Sequence, residues 1–205
     1  MNSVFDIVTQ QLGGSNLGQI SRQIGADESS TQSAIAMALP VLIGAMARNA
    51  SQPAGAAALD RALQNHDGSV LDNLGSLLGG GMSARAGAGI LGHVLGGKRA
   101  PVEKGIGQAT GLSPQQVGKL LIVLAPIVMA ALSRMRQQRA AGAADAPGVD
   151  AVLQQEQQEV ARRAPGVGGL ADLLDRNDDG SIVDDLARMG PGLLGGLFGG
   201  AGGRP

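Results

Sequence analysis

The chain has 205 residues, enough for one or two buried cores, and 43 % of them are hydrophobic, but only two are aromatic, both Phe. Its core must therefore be built from Leu, Ile, Val, Ala and Met, loosened by 34 Gly. A net charge of −1 gives nucleic acid or anionic membrane no global attraction, and the absence of Cys excludes disulfides, thiolate catalysis and Cys-based zinc sites. Cysteine-free composition fits a reducing compartment, and the first residues, MNSVFDIVTQQLGG, lack the basic start of a secretory leader. The expected location is the cytoplasm.

These first residues predict a short helix instead, occupying 1–14. Ser3 and Asp6 form a capping-box pair, Val4, Phe5, Val8 and Leu12 share a face, and Gly13-Gly14 stop it. A first helical repeat is expected over 15–82. Gly25 suits a left-handed residue ending one helix, and Asp27 caps the next. From Ala34 to Ala47 that next helix is apolar on every side, so it belongs in a core or a membrane. The run is shorter than the ~18–20 residues of a membrane span. Pro40 is expected to kink or split it near Leu39. Residues 65–73, NHDGSVLDN, then turn the chain and start a helix with Ser69 and Asp72 as a capping box and Val70, Leu71, Leu74 and Leu77 as its stripe.

A Gly-rich connector is expected over 83–100, with a short apolar helix around Ile90 to Leu95. The pattern then recurs over 101–198. Laid over residues 24–48, residues 110–134 match Gly25 with Gly111, Pro40 with Pro126, and Arg48 with Arg134. Ser113 is the cap, Pro114 takes the first helical position and Gln116 completes a capping box. The run from Leu120 to Leu132 is again apolar all round, with Pro126 expected to bend it near Ala125. Residues 140–148 read as a linker, and a Gln-rich helical insertion follows near 149–164. Residues 199–205 form a flexible tail. Just before it, Leu193, Leu194, Leu197 and Phe198 need cover on this chain or another. No strand pattern competes, so the class is all-α: a compact fold of two related helical repeats, with Gly-rich connections and no sheet.

GILGHVLGGK, TGLSPQQVGKLL, LAPIVMAAL and DRNDDGSIVDDL together resemble the bacterial YidB-like family, a domain of unknown function. The resemblance runs over nearly the whole chain, most clearly 89–135 and 170–198. It implies a compact all-helical bacterial protein and carries no catalytic or binding residue with it.

The acidic loop at 175–185 admits two readings. Asp175, Asn177, Asp179 and Ser181 fall at calcium-loop positions 1, 3, 5 and 7, with Gly180 at position 6. The twelfth position is Leu186 rather than a bidentate acid, while Asp184 and Asp185 come early. In the first copy Leu63 stands where Asp175 does. The alternative needs no metal: both copies are turns followed by capping boxes, Ser181 with Asp184 in the second. IGQATGLSPQQVGKLL also has the outline of a helix-turn-helix, but its second helix offers only Gln115, Gln116 and Lys119 before becoming apolar. The two histidines, His66 and His93, accompany no nucleophile elbow, P-loop or metalloprotease motif. The expectation is a non-enzymatic helical interaction or assembly module, without cofactor, nucleic acid or membrane span, that binds a protein partner or itself. Calcium binding through Asp175, Asn177, Asp179, Ser181 and Asp184 is the alternative, and DNA binding comes third.

Overall fold

A computed structural model describes residues 3–64, 71, 74–75, 82–140 and 148–163. These residues form eight α-helices and one 3₁₀ turn, with no strand among them. In chain order the helices are α1 (Val4–Gln11), α2 (Ser15–Ile24), α3 (Glu28–Ala50), α4 (Pro53–Gln64), α5 (Met82–Val94), α6 (Arg99–Thr110), α7 (Pro114–Ala140) and α8 (Val149–Arg163). The all-α class is as the sequence predicts.

Local signals set the helix ends. Ser3 accepts from the Asp6 N–H and donates its own N–H to the Asp6 carboxylate, both at 3.1 Å, which is the capping box at the start of α1. Asp27 accepts from the Ser30 N–H at 2.8 Å and begins α3. Ser113 and Gln116 make the reciprocal pair that starts α7. Gly25 (φ 75°) and Gly111 (φ 77°) are both left-handed and terminate α2 and α6, a conformation that costs a glycine little.

α7 is the axis of the bundle. From Val123 to Ser133 every residue is buried, so the helix has no solvent face over that stretch. The other seven helices pack on it directly, α5 and α6 most extensively. α3 is the second core helix and lies against α2, α4, α6 and α8 as well as α7. Leu39, Leu121 and Leu124 are fully enclosed, and Ile35 is buried beside them. Leu71 and Leu74, from the stripe expected after the first acidic turn, are buried too. One continuous hydrophobic cluster draws on all these elements.

Of the two expected outcomes at the prolines of the long helices, a kink or a split, the split does not occur. Pro40 and Pro126 lie inside unbroken α3 and α7, which are not split. A helical proline leaves the carbonyl four residues earlier without its donor. For Pro40 that residue is Ala36, on the exposed face of α3, where water reaches it. For Pro126 it is Ile122, and the backbone of α5 closes over it at Gly87, where a Cβ would overlap the Ile122 carbonyl oxygen. This approach also explains a second departure. The expected connector with a short helix is instead the thirteen-residue α5, because its small residues let the helix backbone lie against α7. Finally, α3 and α7 run well past their apolar stretches, to 23 and 27 residues. They are long and apolar enough to cross a membrane, which corrects the expectation that they are too short. Within the bundle, 61 % of the most apolar part of α3 and 83 % of that of α7 are buried.

Candidate interaction groove

The C-terminal half of α3, the end of α5, the 3₁₀ turn Gly96–Lys98 and the first turn of α6 enclose a half-open groove of about 370 Å³. Its floor is Val41, Ala45, Val94, Leu95 and Val102. Ala45 and Leu95 are buried, whereas the three valines are half-buried, Val94 and Val102 also packing against the core. The volume is at the low end of the roughly 300–1,000 Å³ typical of small-molecule pockets, and the open side suits side chains entering from another segment.

Specific bonds hold the walls. Asn49 donates its side-chain N–H to the His93 carbonyl at 2.9 Å, tying the end of α3 to the end of α5. The Leu95 N–H bonds the Leu91 carbonyl and the Lys98 N–H bonds the Leu95 carbonyl, which folds the Gly96-Gly97 turn back over the groove. Arg48 and Lys98 bring positive charge to the rim, and among the described residues no acid lines the groove. The neighbouring Arg99 is engaged by Glu103 at 2.6 Å along α6. The groove therefore combines an apolar floor with a positive edge.

The residues singled out from the sequence go elsewhere. Asp175, Asn177, Asp179, Ser181, Asp184 and Asp185 lie outside the described residues, as do the turn at 65–70 and the tail from Leu193 to Phe198. Among the described residues no group of three or more His, Asp or Glu side chains is placed to hold a metal. His93 is exposed, and its Nδ1 lies 2.9 Å from the Gly89 carbonyl of its own helix. At the helix-turn-helix-like corner, Gln115 and Lys119 are exposed, but Gln116 is occupied. It completes the Ser113 cap and donates from Nε2 to the Gly25 carbonyl at 2.5 Å, joining the corner between α6 and α7 to the corner between α2 and α3.

A buried acid, Glu156, is the other polar feature of note. It is 1 % exposed and accepts the Val4 N–H at 2.6 Å, with an Arg139 guanidinium nitrogen 3.8 Å away. Burial holds its carboxyl above the usual 4.5, against the opposing pull of the Val4 N–H and Arg139. Sequence reasoning missed it, although Val149, Val152, Leu153 and Glu156 follow helical spacing along one face, and a carboxylate on an apolar stripe is a visible anomaly. It missed the groove as well. Val41, Ala45 and Arg48 follow one another along a face of α3, but only the neighbouring helices turn that face into a groove.

A family model described as bacterial protein of unknown function (DUF937) matches residues 6–135. The chain belongs to this family. The resemblance to YidB-like proteins agrees with that membership. The DUF937 region spans α1 to most of α7 and contains the whole groove, whereas α8, Glu156 and the segment DRNDDGSIVDDL lie beyond it. No curated protein and no solved structure matches the chain.

Proposed function

We propose that this DUF937 protein is a non-enzymatic interaction module whose groove receives an amphipathic, acidic protein segment. One observation carries the reading: three half-buried valines in a groove whose charged lining, among the described residues, is Arg48 and Lys98. Methyl groups left partly in water gain about 25 cal/mol for each Å² that a ligand covers. The two cations then select acids at the edge and disfavour basic sequences. The partner is a protein segment, on another molecule or on this one, and the groove's open side supports that choice over an enclosed cofactor.

The wider reading is a cytoplasmic protein without nucleic-acid partner or membrane span. The engagement of Gln116 by Ser113 and Gly25 weighs against a DNA-reading corner. The cover that seven helices give α7 supports a core helix rather than a lipid-facing one.

Selection of displayed random peptides on the full chain tests the proposal, with Val102→Asp as the counter-target. The expected winners carry two or three large aliphatic residues at helical spacing beside Asp or Glu, and bind the variant at least about tenfold more weakly, since a carboxylate in the floor repels the same acids. Winners that bind both proteins equally, or that are basic, would refute the reading.

A further inference from the structure

We infer that the groove is occupied in cis by residues 178–189 of the same chain, DDGSIVDDLARM. This rests on the groove being a recognition site, as proposed above, and names its occupant. Three observations converge on the segment.

The first is its pattern. Ile182, Val183, Leu186 and Met189 fall on one face at helical spacing, and Asp178, Asp179, Asp184 and Asp185 stand around them. This is the chemistry that an apolar floor with an Arg48 and Lys98 rim accepts. The second is its counterpart. When Asn65 is laid on Asn177, Val183 and Leu186 correspond to Leu71 and Leu74. Leu71 and Leu74 are 2 % and 3 % exposed, so these two residues of the first acidic segment pack against the bundle. The second carries an equivalent stripe that needs an equivalent seat. The third is reach. The chain between Arg163 and Asp178 can extend to about 50 Å, whereas α7, the longest helix, is about 40 Å long. The connecting chain thus exceeds the length of the longest described helix, enough to carry the segment from the end of α8 along the bundle to the groove. Tethering then gives it a local concentration on the order of millimolar, so an external partner must displace it.

The absence of Cys makes a direct test clean. Val102→Cys and Val183→Cys are introduced together into the full chain, and mild oxidation is followed by mass and gel mobility. Ala58→Cys, on the exposed face of α4, replaces Val102→Cys in the control pair. The expected result is a disulfide within one chain, forming at least about tenfold faster than in the control, as proximity at millimolar local concentration requires. Asp184→Lys with Asp185→Lys should slow it severalfold, and so should about 0.5 M salt, which screens the rim. A rate equal to the control overturns the inference, and so does a disulfide that forms only between chains. If either occurs while the selected peptides still depend on Val102, only the cis occupant falls. If the peptides fail as well, the groove reading falls with it.

Discussion

At Glu156 a carboxylate is almost wholly enclosed, with the Val4 N–H and the more distant Arg139 standing where water would be. Because burial raises its folded-state pKa, the folded chain holds this proton more tightly than the unfolded chain does. Stability from this group is therefore complete below 4.5 and declines as pH rises through the folded value. Glu156→Gln should flatten that decline and leave the variant more stable than the parent at neutral pH, as read by urea unfolding between pH 4 and 8. A parent that gains on the variant as pH rises would contradict this assignment. Asp27 behaves in the opposite sense. The Ser30 N–H holds its carboxyl below 3.8, so its cap contributes above that value and is lost as pH falls through the lowered one. Asp27→Ala should therefore destabilise the protein at pH 7 and make little difference near pH 2.

Among the elements, α7 carries the most. Leu124 is fully enclosed at its centre, and Leu124→Ala should cost about 2–5 kcal/mol in urea unfolding, with a loss below about 0.5 kcal/mol placing it on a surface. Gly87→Ala should cost about 1–3 kcal/mol although it adds a better helix former, because the new methyl meets the Ile122 carbonyl. What the sequence reveals here follows range. Ser3 with Asp6, and Ser113 with Gln116, act over three residues, so the caps can be read directly. Gly25 and Gly111 are legible for the same reason, since one dihedral decides them. α4 is not read as a separate helix, because its Ala-rich face leaves only Leu59 and Leu63 as a stripe. The full length of α5 depends on Pro126, a partner far away in the chain, that exposes the carbonyl Gly87 covers. The groove is less legible still. Val41, Val94 and Val102 each look like ordinary core residues, and only the meeting of three helices leaves them half-covered.

For the molecule as a whole, millimolar calcium should leave the melting temperature unchanged. The acidic segment at 175–185 has Leu186 at the twelfth position, and the similar segment NHDGSVLDN has Leu63 two residues before its Asn65, where Asp175 stands before Asn177. A calcium-dependent rise abolished by both Asp175→Ala and Asp179→Ala would reverse this expectation, since a ligand that binds only the folded state must stabilise it. The bond between the Val4 N–H and Glu156 spans 152 residues of sequence, nearly three-quarters of the chain. During synthesis at about 5–20 residues per second, the interval between translation of these two ends is roughly 8–30 s. Val4, Val8 and Leu12 are made before α7 and α8, the helices that α1 packs against, and the last of its partners arrives only with α8. A nascent chain arrested before α7, at about residue 113, should therefore be cut by protease within α1, and one released at full length should resist.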